Sequence, residues 1–422
     1  MRGSLIDIQR CLLRRSFSGS ASALPSPPPS PSSPLKPFAS MPTISLRQII
    51  SLNKTPENPL PFYAELHRRF PELVRLSMPF GLNFVLSFRP EHVAGIVRAA
   101  GKTPGPLQLM SWLHREKMRK KSHPAHAENL IALVGAEWRA NRTVLDEVIM
   151  TRARLNVVLP QLSAIGDDLM RMLASKHSPV AGSAGDGCVS IADLQACMFG
   201  FSNEVIGQVV YGARMGNLAV GGSDSAPPSA VAAARIKRFS DTLLELFRTM
   251  ADLQTAVPLY MLFPTPMFRR FCRAVDTVEE IGSELLVDTD AEHAARAQRD
   301  PAYRRTDLVA HMRERGLAAA RVDSNAVTMF TAGSDSTTHS LMWLIHNLGR
   351  FPAVQEQCRA EIMRHLPASG EITADAIQAC RYMRAVIKES LRLTPTAVGF
   401  VRVLDVPVVR GAMSLQPSAC LH

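Results

Sequence analysis

No stretch of this 422-residue chain approaches the roughly 18–20 consecutive apolar residues that a membrane-crossing helix needs. Its seven cysteines, at positions 11, 188, 197, 272, 358, 380 and 420, form no C-x-x-C pair and have no histidine partners at ligand spacing. That argues against a zinc site or a disulfide framework and fits a reducing compartment. Aromatic residues are scarce at 6%, while Leu, Ala, Met and Val are plentiful. A sheet-dominated fold would be richer in aromatic and β-branched residues, so packed helices are expected. Acid is almost missing from the first 47 residues, where Asp7 stands alone against Arg2, Arg10, Arg14, Arg15, Lys36 and Arg47.

What is present begins with that N-terminus. Residues 1–24 are Arg-rich and Ser-rich, the composition of a mitochondrial transit peptide, and a Pro/Ser linker runs from Pro25 to Pro37. Residues 1–40 are therefore set apart as transit segment plus linker. The whole chain carries a formal charge of +11, which suits an anionic membrane face or an acidic protein partner. Its densest basic run (Arg115, Lys117, Arg119, Lys120, Lys121) has no interleaved aromatics. It reads as a solvated face, and nucleic acid is not an expected partner.

From about Ser45 helical periodicity dominates. Pro61 opens one helix and Arg89-Pro90-Glu91 another, with Phe80–Phe88 between them reading as a short hairpin. Loops rich in Gly, Ser and Pro are expected at His177–Gly187 and Gly216–Ala230. Between them lies a helix that ends near Tyr211-Gly212. Further on, Phe271, Val275, Val278, Ile281 and Leu285 form one apolar stripe at helical spacing. The span Asn325–Arg350 is expected to be the longest helix, about 39 Å if continuous. Its middle, Ala332-Gly333-Ser334-Asp335-Ser336-Thr337-Thr338, puts polar, helix-weakening residues within a largely apolar segment.

That run resembles the oxygen-handling helix of the cytochrome P-450 superfamily, A/G-G-x-D/E-T-T/S. Three further motifs follow the same family order. Trp138 and Arg142 match W-x-x-x-R; read alone, they are equally a core anchor and a surface cation. Glu389 and Arg392 match E-x-x-R on a helix stopped by Pro395, and they can pair at i, i+3. Arg402-Val403-Leu404 is similar to the strand that follows it.

The resemblance implies a mainly α fold with a small β region over residues 41–411 and haem as cofactor. Asp335 and Ser336 would relay protons with Thr337 beside them, and Ala332 and Gly333 would open an oxygen groove. Ser336 stands where the family more often has Thr. Trp138, Arg142 and Arg402 would contact the haem propionates, and Glu389–Arg392 would be a structural pair.

Arg384 and Lys388, one turn apart, match the basic pair that mitochondrial members present to an acidic, adrenodoxin-like ferredoxin. The implied activity is monooxygenation of a sterol, steroid or similar small lipophilic molecule. The implied place is the matrix side of the inner mitochondrial membrane, with peripheral contact to it.

The family's haem-ligating loop, F-x-x-G-x-R-x-C-x-G, is not found in these 422 residues. After Gly411 the sequence turns into a tail of different character, residues 412–422, in which Cys420 lacks the loop's neighbours. The expectation is a chain truncated before its cysteine ligand, without a metal-ligating residue and without the thiolate-type absorption near 450 nm. The competing expectation is a non-catalytic product that acts at most as a binding protein.

Overall fold

The computed structural model describes residues 41–52, 60–77, 83–99, 114–115, 130–131, 133, 135–149, 151–179, 189–218, 230–255, 259–367, 370–397, 399, 402, 408–410 and 413–415. The putting-together of the N-terminal part starts with a three-stranded sheet. Strand β1 (Thr43–Ser45) runs parallel to β2 (Leu73–Ser77), which pairs antiparallel with β3 (Asn83–Ser87) in the register Leu73↔Ser87. The span expected to be a hairpin is thus a single strand whose partner lies upstream; residues 80–82 fall outside the described ones. Helices α1 (Leu46–Leu52) and α2 (Leu60–Arg69) close a small core of Ile44, Ile49, Phe62, Leu66 and Val74. Helix α3 (Pro90–Ala99) opens at its proline, as the sequence implies.

Helices then follow one another: α4 (Gly135–Ile149), α5 (Arg152–Lys176), α6 (Leu194–Tyr211), α7 (Ala230–Thr255), α8 (Pro266–Arg299), α9 (Leu308–Glu314) and α10 (Ala319–Arg350). The span His177–Gly187, expected as loop, begins with strand β4 (His177–Pro179), paired antiparallel with β5 (Val189–Ile191). Most of the second expected loop lies outside the described residues. The helix ends carry their own stop signals. Asp193 caps α6 by accepting from Ala196 N at 2.9 Å, and Gly212 ends it in the left-handed conformation at φ 68°. Thr265 and Asp307 cap α8 and α9 in the same way.

The stripe Phe271, Val275, Val278, Ile281 and Leu285 is buried, as its spacing implies. It joins Phe239, Phe268 and Phe330 in the main core, where the Phe239 and Phe330 ring centroids are 5.0 Å apart. One expectation of length is corrected. The longest helix is α8 with 34 residues, ahead of α10 with 32. Beyond Leu286 the buried positions of α8 are filled by Thr289 and His293 instead of apolar residues, so the apolar period stops before the helix does. Thr289 Oγ1 donates back to the Leu285 carbonyl, and the His293 ring lies 2.7 Å from the Tyr211 carbonyl oxygen.

After α10 come α11 (Pro352–His365), α12 (Ala374–Ala379) and α13 (Arg381–Leu393). Cys358 lies on α11, whereas Cys380 is the cap residue between α12 and α13 and not part of either helix. Strands β6 (Val408–Arg410) and β7 (Met413–Leu415), which lie on either side of the change in sequence character after Gly411, pair antiparallel.

Candidate active site

Helix α10 runs unbroken through Gly333 and the Ser/Thr stretch. It is held from three sides. Against α6 the approach is close, since a Cβ on Gly333 would stand 2.7 Å from Ile206 Cδ1. Thr338 Oγ1 lies 3.0 Å from Ser202 Oγ of α6 and donates to the Ser334 carbonyl at 2.7 Å. Against α8, Gly282 leaves space that Val327 fills; a Cβ there would come within 2.5 Å of Val327 Cγ2. Against α4, Asn141 and Asn325 exchange side-chain hydrogen bonds of 3.1 and 2.8 Å, both side chains buried.

Only one side of the polar stretch is packed. Ser334 and Thr338 are buried, whereas Ala332 and Ser336 are exposed and Asp335 and Thr337 half-buried. Ser336 Oγ donates to the Ala332 carbonyl at 2.8 Å, and Ser340 repeats this one turn on with the Ser336 carbonyl. Such back-bonding satisfies the hydroxyls locally and leaves their oxygens facing outward from the helix. The two residues expected to form an oxygen groove therefore part company. Ala332 belongs to the open face, while Gly333 is where α6 comes closest.

One neighbour of Asp335 had no place in the sequence reading. His339 Nδ1 lies 3.0 Å from the Asp335 carbonyl oxygen and 3.4 Å from its Oδ1. Its pKa is raised above 6.5, first by the hydrogen bond to the Asp335 side chain, against the opposing effect of burial. An acid with a histidine four residues on, in a helix, was the available signal.

The remaining expected residues sit on elements tied to α10. On α13, Arg392 grips Glu389 with two hydrogen bonds, Nε to Oε2 at 2.8 Å and Nη2 to Oε1 at 2.7 Å. That grip holds the Glu389 carboxyl below its usual range. Asn347 of α10 donates to Ser390 Oγ at 2.9 Å, which pins α13 to α10. Glu361 of α11 caps the start of α13 by accepting from Tyr382 N and Met383 N, each at 2.8 Å. Arg384 and Lys388 project from this fixed helix as exposed cations, and neither forms an ion pair among the described residues. On α4, Trp138 is half-buried and Arg142 Nε bonds Asp146 at 2.8 Å, both Arg142 and Asp146 being more than a third exposed. Arg402 is half-buried; Val403 and Leu404 lie outside the described residues.

The sequence profile of the family described as Cytochrome P450 matches residues 41–411. This chain belongs to the cytochrome P450 family. Among curated relatives it is 25% identical over 334 residues to the mitochondrial cholesterol side-chain cleavage enzyme of Oncorhynchus mykiss, covering 76% of this chain and 59% of that protein. To ecdysone 20-monooxygenase of Drosophila melanogaster it is 23% identical, covering 81% and 61%. To the mitochondrial 1,25-dihydroxyvitamin D(3) 24-hydroxylase of Mus musculus it is 25% identical, covering 85% and 64%. The chain thus spans about three-fifths of the length of the relatives it matches.

The family implies haem, and the described residues fit it on one side. The open face at Ala332 and Ser336 is unobstructed by α6 or α8. Among the described residues Arg142 is engaged by Asp146, a partly exposed acid that water can replace. The sulfurs do not fit. Cys197 is buried on α6 with Met198, Ile165 and Leu218, and Cys272 packs against the main core. The thiols of Cys358 and Cys380 are pushed up by burial and by the Glu361 carboxylate, away from the thiolate form. Among the described residues no cysteine suits an axial ligand.

Proposed function

We propose that this chain forms the oxygen-side half of a haem-dependent monooxygenase that acts on a sterol, steroid or related lipid, with electrons from an acidic ferredoxin in the mitochondrion. The observation that carries the reading is the open face of α10. It presents an acid and an alcohol, Asp335 and Ser336, one residue apart on a helix whose other faces are fixed by α4, α6 and α8. Haem, when bound, supplies the oxygen-activating redox chemistry. The chain's own part is to hold protons beside that face. Asp335 can store one, Ser336 can pass one through its hydroxyl, and Thr337 lines the same edge. Trp138, Arg142 and Arg402 are the candidates to hold the propionates by stacking and charge-assisted hydrogen bonds.

Exposed cations at i, i+4 repel each other, and a partner's carboxylates relieve that repulsion. Arg384 and Lys388 have that arrangement on a helix immobilised at both ends, which supports ferredoxin docking. Near the 3-10 turn Leu259–Met261, the side chains Leu259, Leu262 and Phe263 are 43%, 65% and 53% exposed. They support peripheral contact with a membrane, and no described helix is long and apolar enough to cross one. Residues 1–40 lie outside the described ones, and the transit role is proposed from their composition.

The experiment is oxygen-isotope labelling. The protein, a ferredoxin with its reductase, and a panel of sterols are incubated under labelled dioxygen, and the lipids are read by mass spectrometry. One labelled oxygen atom per product molecule is expected from a protein that carries the family's cysteine loop together with this chain, and none from these 422 residues alone. Lipids that stay unlabelled by the loop-bearing protein while ferredoxin oxidises would refute the monooxygenase. Asp335→Asn should cut product formation by about 100-fold, the scale of a lost acid–base group. The ferredoxin arm is tested separately by calorimetry with Arg384→Glu/Lys388→Glu, which should abolish measurable binding.

A further inference from the structure

The proton-handling pair on α10 has a third member at its solvent end. His339 sits one turn beyond Asp335, with Nδ1 3.4 Å from the carboxylate Oδ1 and 3.0 Å from the carbonyl of the same residue. The ring is 39% exposed and the carboxylate 21%. Nε2, at the far edge of this partly exposed ring, has no protein hydrogen-bond partner among the described residues and is the nitrogen open to water. The geometry is a short path: bulk solvent, Nε2, Nδ1, Asp335 Oδ1, then the Ser336 side of the helix.

Acids on three elements packed against α10 are each held by an arginine. On α6, Glu204 is bound to Arg214; on α11, Glu356 faces Arg359; on α13, Glu389 holds Arg392. Asp335 is the charged group that acts on His339.

We propose that His339 is the positioning residue that couples the Asp335 carboxyl to bulk water, accepting a proton at Nε2 and releasing one at Nδ1. The assignment rests on the function proposed above for Asp335. The balance is simple. One proton enters the neutral ring from water and gives the imidazolium; the Nδ1 proton then passes to the carboxylate. The neutral ring left behind carries its proton on Nε2 and regains its first tautomer when it rotates to bring Nδ1 to water, giving up the Nε2 proton and taking one at Nδ1. No oxidant or reductant is involved. The same contact, with imidazolium present, holds the Asp335 carboxylate toward the ring and so fixes its rotamer.

The first measurement needs no turnover. Histidine ring nitrogens are followed by NMR across pH in the full chain, and the His339 signal is assigned by its loss in His339→Gln. In the wild type the titration midpoint should lie above 6.5, and in Asp335→Asn it should fall back toward that value. A midpoint that is the same in both overturns the proposal.

The second measurement reads the path in the loop-bearing protein. His339→Ala should lower product formed per electron consumed by about tenfold at alkaline pH, with KM unchanged, and added 4-methylimidazole should restore it. Loss without rescue, with KM raised, would mean a merely structural role and would overturn the proposal. Circular dichroism confirms that each variant is folded. A loop-bearing wild type that shows the coupled titration but oxygenates no lipid would refute the monooxygenase reading and leave the coupled pair standing.

Discussion

One eight-residue stretch of α10, residues 332–339, builds two unlike faces. Toward α6, Gly333, Ser334 and Thr338 make a tight seam in which a missing Cβ lets Ile206 approach and a threonine hydroxyl meets Ser202. Toward the open side, Ala332, Asp335, Ser336 and His339 keep their polar atoms within reach of water or of one another. The first face is costly to overpack, since a Cβ added at Gly333 would stand 2.7 Å from Ile206 Cδ1. The second is cheap to disturb in stability and costly in chemistry. The difference teaches that small and hydroxylated residues in one helix can serve close packing and proton handling at once, a quarter-turn apart.

Four substitutions test that contrast, from the largest effect to the smallest. Glu204, on the α6 side of the seam, is buried with 0% exposure and accepts from Arg214 Nε at 2.8 Å, from Met215 N at 2.9 Å and from Asn217 N. Glu204→Ala would strand these donors and is expected to cost about 3–5 kcal/mol in denaturant unfolding. Gly282→Ala pushes a methyl against Val327 and should cost about 1–3 kcal/mol, most of it recovered when Val327→Ala is added in a double-mutant cycle.

Ser334→Ala has the opposite sign. The Ser334 hydroxyl is buried without a hydrogen-bond partner among the described residues, so its removal should leave stability unchanged or raise it by up to about 1 kcal/mol. On the open face, Asp335→Asn should shift stability by no more than about 0.5 kcal/mol at any pH. What it removes is a slope. The folded-state pKa of His339 is raised, so its contribution is fully present below 6.5 and is lost as pH rises through the folded value. Unfolding free energies measured on either side of that value should converge for Asp335→Asn and differ for the wild type. A large stability loss in Asp335→Asn would erase the distinction between the faces.

Much of this was legible in the residues themselves. The stripe from Phe271 to Leu285, the cap at Gly212 and the proline-led starts follow from local rules, because periodicity and capping are properties of a few neighbouring positions. Asp335, Ser336, Glu389 and Arg392 were legible as motif positions, and the structure adds that the last two grip each other in two places. The strand Asn83–Ser87 does pair antiparallel with a neighbouring strand, but its other half, Leu73–Ser77, lies upstream of the span Phe80–Phe88, because the partner is set by register, which alternation alone does not encode. The length of α8 was missed because Thr289 and His293 continue its buried stripe with polar groups whose partners are chosen in three dimensions. His339 was missed although its spacing from Asp335 was in plain view, since the family pattern ends before it.

The reciprocal pair Asn141–Asn325 has a mechanical consequence. Each amide gives and takes one hydrogen bond, and Leu130 N adds a second donor to Asn325 Oδ1 at 3.2 Å. Sliding α4 along α10 by a single turn, about 5.4 Å, would orphan all of these groups at once. Rotation about the pair costs far less than translation past it. The pair therefore works as a register pin that fixes which turn of α10 Trp138 and Arg142 stand beside.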